Sequence, residues 1–180
     1  AILYGEGWNM GNELKDDQKG SQENAFKLRN YGFFNDSFRD IIKGPTFMDK
    51  LHVKGYINGD NNYALGAQFA LLGSTCNHTY PLKYENINQS INYVECHDNN
   101  TLFDKLSVSN ENEDKETLLD RVKLANTLVM LSFGVPFFHM GQEIGLSKHG
   151  LDNTYITPGV NNFNYKKMHK RYNMVTYFKE

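Results

Sequence analysis

Three short stretches place acidic, imidazole and amide side chains where they could do chemistry. Gly5-Glu6-Gly7-Trp8 sets one carboxylate between two glycines, directly ahead of the only tryptophan in the chain. Glu95-Cys96-His97-Asp98-Asn99 crowds polar groups behind an apolar run, and Gly141-Gln142-Glu143 does the same further on. An acid beside a flat apolar ring suits proton donation, and an acceptor-only carboxylate next to an imidazole suits paired hydroxyl donors. Each stretch also has a plainer reading. Glu6 alone reads first as a solvated turn glutamate, and His97-Asp98 as a structural pair closing a strand. Asn35 and Asp36 read as helix caps, and Glu143 as a brace. No second ligand pair follows Cys96-His97, so no zinc site is expected, and no metal ligand is assigned.

Elements must carry these stretches to one place. Ile2-Leu3-Tyr4 reads as a buried strand stopping at Gly5. Residues 12–30 are polar and read as a long loop with a helical turn near Asn24–Leu28. Tyr31–Phe34 is a second strand, followed by a helix from about Asp36 to Lys43 that Gly44-Pro45 stops. Tyr63 to Gly73 reads as an apolar helix, and residues 74–89 as a polar connector. Ile91 to Asn99 reads as the third strand. Leu118, Val122, Ala125 and Val129 recur at helical spacing within a core helix from about Asp114 to Phe133. Val135 to Met140 is expected as the fourth strand, and Tyr165 to Glu180 as mostly helix. Strands alternating with helices, each strand an apolar run, predict a parallel α/β architecture with its polar residues at the strand ends. In a (β/α)8 barrel that end is the catalytic face.

The bulk numbers exclude some functions. The net charge of −2 and pI near 6.3 argue against nucleic-acid or anionic-membrane partners. No apolar run approaches the roughly 20 residues that span a bilayer. Cys76 and Cys96 make no disulfide framework. Asn77-His78-Thr79, Asn88-Gln89-Ser90 and Asn99-Asn100-Thr101 fit the glycosylation triplet, as chance allows in an asparagine-rich chain. The Lys, Asn, Ile and Tyr bias suits an AT-rich bacterial genome, and the compartment stays open between cytoplasmic and secreted.

Tyr4–Trp8, Val94–Asn99 with Thr101-Leu102, and Gly134–Glu143 together resemble three blocks of the α-amylase clan, in order. The finer resemblance is to type I pullulanases. It extends to Gly32-Phe33-Phe34-Asn35-Asp36 with Arg39-Asp40, and to Gly150-Leu151-Asp152-Asn153-Thr154-Tyr155. It implies a (β/α)8 barrel of which this chain carries strands five to eight, a half barrel cut at both ends. It implies Glu6 as acid/base, and Asp98 and His97 as holders of the glucose whose bond is cleaved. Trp8 would stack on the sugar on the leaving-group side, with Asn99 at the rim. Asp152, Asn153 and Tyr155 would line outer subsites or form an ordinary surface loop. The implied partner is an α-glucan. No cofactor is evident, and a structural calcium is compatible with the resemblance although no compact oxygen-ligand loop demands one.

The clan's nucleophile block has no counterpart here. Phe38-Arg39-Asp40 looks like it but follows Glu6 and falls in a helix, so it is rejected. Cys96 and Phe103 stand where the family commonly has serine and tryptophan. The resemblance therefore implies retaining hydrolysis of α-1,6-glucosidic bonds in pullulan, starch or glycogen, with the N-terminal half of the barrel as a required partner. Another debranching member of the clan, isoamylase-like, and a non-catalytic carbohydrate-binding fragment are the alternatives.

Overall fold

The computed structural model describes residues 2–76 and 80–180, so the triplet Asn77-His78-Thr79 lies outside the described residues. Four parallel strands lie in chain order: β1 (Leu3–Gly5), β2 (Tyr31–Phe34), β3 (Ser90–Asn92) and β4 (Val135–Pro136). Their register sets Tyr4 against Gly32, Phe34 against Ile91, and Asn92 against Pro136. Parallel strands in chain order need a crossover between each pair. Helices α1 (Asp36–Lys43) and α2 (Ala64–Leu71) lie in the crossover from β2 to β3. Helices α3 (Leu102–Ser109) and α4 (Lys115–Leu131) join β3 to β4, and α5 (Tyr165–Lys170) and α6 (Tyr172–Lys179) follow.

Local chemistry fixes most boundaries. Asn35 caps α1 by accepting from the Phe38 N–H at 3.0 Å, as its capping role predicts. Gly44 ends α1 at φ 87°, a conformation that glycine adopts without strain. Asp114 caps α4 through the Thr117 N–H at 2.9 Å. The chain breaks between α5 and α6 at Arg171, whose guanidinium instead grips the Ile144 and Gly145 carbonyls, each at 2.6 Å.

Four expectations need correction. The third and fourth strands are shorter than their apolar runs, ending at Asn92 and Pro136; Pro136 has no N–H to extend a ladder. Helix α3 is missing from the sequence reading, although Thr101 caps it by accepting from Asp104 N–H at 3.1 Å. The first strand is not buried: Ile2, Leu3 and Tyr4 are 61%, 56% and 52% exposed. The last turn of α4 is not core either, with Leu131 75% exposed and Phe133, just beyond it, 59%.

The sheet's two faces differ. On one, Phe38, Ile42, Val94, Leu106, Val122 and Val129 form the main core with the helices. On the other, Phe34 meets Tyr93 and Phe137 edge-on, each pair 4.9 Å between centroids. A buried chain of neutral side chains crosses the sheet beside the main core. Asn35 donates to the Ser74 and Ser90 hydroxyls at 2.9 and 2.8 Å. Ser90 donates to Asn92 Oδ1 at 2.7 Å, and Asn92 donates to Ser132 Oγ at 2.9 Å and the Phe133 carbonyl at 2.8 Å. Lys105, also buried, donates to the Leu51 and Val53 carbonyls, each at 2.7 Å. Among the described residues no helix is long and apolar enough to cross a membrane.

Replacing Asn92 by Ala strands Ser90 and the Phe133 carbonyl in the interior. The expected cost is about 1–3 kcal/mol, read as a lower urea midpoint at unchanged slope. A second outcome concerns Lys43, which is buried at the end of α1; burial, aided by the Arg39 charge, pushes its ammonium down to about 8. Between that value and the ordinary lysine value of about 10.4, the unfolded chain binds more protons than the folded one. Stability conferred by this group therefore rises with pH across that window. Lys43→Met is expected to flatten the rise when urea midpoints are compared across the same window.

Candidate active site

Glu6 sits where β1 ends, and the loop that follows holds it there. Gly7 has φ 71°, and a Cβ at this position would overlap the Phe33 ring. Only glycine meets both conditions. The Gln22 amide donates to the Phe34 carbonyl at 2.8 Å and the Glu6 carbonyl at 3.3 Å, while its N–H donates to the Gly7 carbonyl at 2.8 Å. Gln22 lies inside the stretch read as a loop. An isolated glutamine in a polar run carries no signal of this role.

His97 and Asp98 follow β3 on an irregular segment anchored from beneath. The buried Glu95 carboxylate accepts from the Leu102 N–H at 2.7 Å through one oxygen, and its other oxygen lies 2.8 Å from His139 Nδ1. One side chain thus joins the end of β3, the start of α3 and the segment after β4. Asn99 turns the chain in the left-handed region (φ 59°), and its N–H donates to Asn153 Oδ1 at 2.9 Å; Asn153 is itself left-handed at φ 47°. Asparagine tolerates this conformation better than most residues.

The result is a convergence. His97 Nε2 lies 3.2 Å from Glu6 Oε1 and 3.4 Å from Asp98 Oδ1. All three side chains stay partly open to solvent and line a cleft of about 330 Å³ together with Trp8 and Asn99. So five of the residues named from sequence meet here. The remaining three stand to one side. Tyr155 meets the His97 ring edge-on at 6.0 Å and shares with it a smaller hollow of about 230 Å³. Asn153 supports Asn99 as described, and Asp152 accepts from the Asn153 amide at 3.1 Å. Sequence reasoning did not place Arg39, Phe47 and Tyr93 in the cleft, where they also lie. Asp36 lines it as well, but its carboxylate pairs with Lys83. Glu143 braces its own turn by accepting from the Gly141 N–H at 2.8 Å.

Glu6, His97 and Asp98 offer one ligand atom each, all within 4.8 Å of one another. A nitrogen ligand in so small a set does not fit calcium, which takes six to eight oxygens. Their chemistry fits hydroxyl recognition better: two carboxylates accept, and one imidazole orients them.

The same arrangement of chain recurs in known proteins. The curated pullulanase of Bacillus subtilis is 38% identical over 154 residues, covering 86% of this chain. The chloroplastic pullulanase 1 of Arabidopsis thaliana is 31% identical over 188 residues, covering 81%. A crystal structure of type I pullulanase from Bacillus subtilis, complexed with maltose, superposes with a TM-score of 0.94 at 35% identity and covers 99% of this chain. Over most of its length the chain is homologous to type I pullulanases. No family model matches it. The chain spans 21% and 19% of those two curated pullulanases, and 25% of the pullulanase in the crystal. A pullulanase from Anoxybacillus complexed with maltotetraose gives a TM-score of 0.90 at 37% identity. The parallel four-stranded α/β sheet is thus a piece of pullulanase fold, with Glu6, His97 and Asp98 at one end of its strands.

The anchoring by Glu95 can be tested directly. Glu95→Ala leaves the buried Leu102 N–H unpaired and frees His139. A loss of about 1–3 kcal/mol is expected in urea unfolding.

Proposed function

We propose that this chain is the strand-five-to-strand-eight half of a pullulanase-like (β/α)8 barrel, whose whole hydrolyses α-1,6-glucosidic bonds in pullulan, starch or glycogen with retention. The observation that carries the reading is the meeting of Glu6, His97 and Asp98 beside Trp8, in a chain homologous to pullulanases over most of its length. In the proposed mechanism Glu6 gives its proton to the glycosidic oxygen as the bond breaks, then takes one from water. Asp98 and His97 hold hydroxyls of the glucose at the reacting carbon and favour the oxocarbenium-like transition state. Trp8 stacks against the sugar on the leaving side, where a flat apolar ring covers the apolar face of a pyranose. Asn99 borders this subsite; Asp152, Asn153 and Tyr155 belong to the outer wall.

The nucleophile is assigned to the other half of the barrel. Besides Glu6 and Asp98, the carboxylates lining the cleft are Asp36, paired with Lys83, and Asp40, forked onto Arg39, so both are already engaged in ion pairs. The exposed apolar edge of β1 and the uncovered Leu131 and Phe133 supply surface for a partner half to cover.

Two outcomes check this. In the full protein, Glu6→Gln is expected to lower turnover of pullulan by about 10²–10⁴-fold while calorimetry still detects maltooligosaccharide binding. Near-normal turnover would remove Glu6 from the acid/base role. Maltotriose as the pullulan product separates this reading from an isoamylase-like one. The 180-residue chain alone is expected to give no reducing sugar from pullulan.

A further inference from the structure

Arg39 is a half-buried guanidinium at the cleft with no part in the chemistry above. It lies on α1, and all three of its nitrogens are engaged. Nε and Nη2 donate to the two carboxylate oxygens of Asp40 at 2.6 and 3.0 Å, and Nη1 donates to the Tyr93 hydroxyl at 2.9 Å. Neighbouring residues on a helix do not ordinarily face each other, so the Arg39–Asp40 fork fixes the arginine by folding it back along the helix. Its Cζ lies 5.9 Å from the Trp8 centroid and 5.8 Å from that of Tyr93, whose hydroxyl it also engages. The Tyr93 ring is fully buried and held edge-on by Phe34. Trp8, by contrast, rides on an irregular segment beyond β1, which is itself exposed.

We propose that Arg39 is a positioning residue that fixes Trp8 as a sugar platform. The Tyr93–Arg39–Asp40 assembly carries order from the aromatic layer of the sheet to the Trp8 ring, which is half-buried against that layer and borders the open cleft. The proposal rests on the reading of the cleft as a glucan site. A planar, delocalised cation is required, because lysine can neither fork onto a carboxylate nor lie flat against a ring.

The test is a double-mutant cycle in the full protein, with steady-state kinetics on pullulan. Arg39→Lys is expected to raise KM by about three- to thirty-fold, the range of one desolvated cation–π contact, with kcat changed less than twofold. Trp8→Ala raises KM on its own, and adding Arg39→Lys to it is expected to change nothing further, because the effect runs through the ring. Should Arg39→Lys fail to fold, Asp40→Asn keeps the cation, loosens the fork and carries the same cycle. The proposal is overturned if the two KM effects multiply, if Arg39→Lys leaves KM unchanged, or if kcat falls in its place. If Glu6→Gln abolishes turnover and Trp8→Ala leaves KM unchanged, the site reading stands and the platform falls. If Glu6→Gln keeps its turnover, both fall together.

Discussion

The sheet is held as much by one row of buried side chains as by its backbone ladder. Strands of two to four residues share few hydrogen bonds with their neighbours. The row from Ser74 through Asn35, Ser90 and Asn92 to Ser132 runs across β2 and β3 to the foot of β4. Every group in it is neutral, so none needs a counter-ion, and each finds a partner as a buried polar group must. Asn35 takes part twice, because the oxygen that caps α1 belongs to the same amide that donates into the row. The start of α1 and the alignment of three strands therefore depend on one residue.

This arrangement divides the work between the faces of the sheet. The helix side carries the hydrogen-bonded row and the aliphatic core, and sets the spacing of strands. The other side carries Phe34, Tyr93 and Phe137, whose edge-on contacts form a stiff floor. The cleft stands on that floor. Its chemical groups, however, lie beyond the strands, on segments tied by Gln22, Glu95 and Asn153. Short strands with long, hydrogen-bonded ends are one way to bring three side chains from two separate segments to within 4.8 Å of one another.

Much of this was legible in the residues. Helix starts at Asn35 and Asp114 announce themselves because capping is local chemistry, and the glycine that stops α1 does the same. Glu6, Trp8, His97, Asp98 and Asn99 could be singled out because unusual side chains stand together at the ends of apolar runs. Helix α3 escaped because only Leu102 and Leu106 of its eight residues are buried hydrophobics, too few to declare a helical period. Strand ends were overrun for a related reason. Apolar character in Tyr93, Val94 and Phe137 reflects burial, and burial continues after the ladder has stopped. Gln22, Glu95 and Arg39 act through partners 12, 44 and 54 positions away, and no local pattern encodes such distances.

The exposed β1 edge also bears on how such a chain assembles. Strand order follows chain order, so each strand docks beside the one before it, but each pairing must first close a long crossover, and such non-local contacts form slowly. At every stage of that growth, Leu3 and Tyr4 present apolar side chains on an unpaired ladder edge. Cellular quality control reads such an edge as unfinished. An exposed, unpaired edge of this kind is a template for pairing with another chain until something covers it.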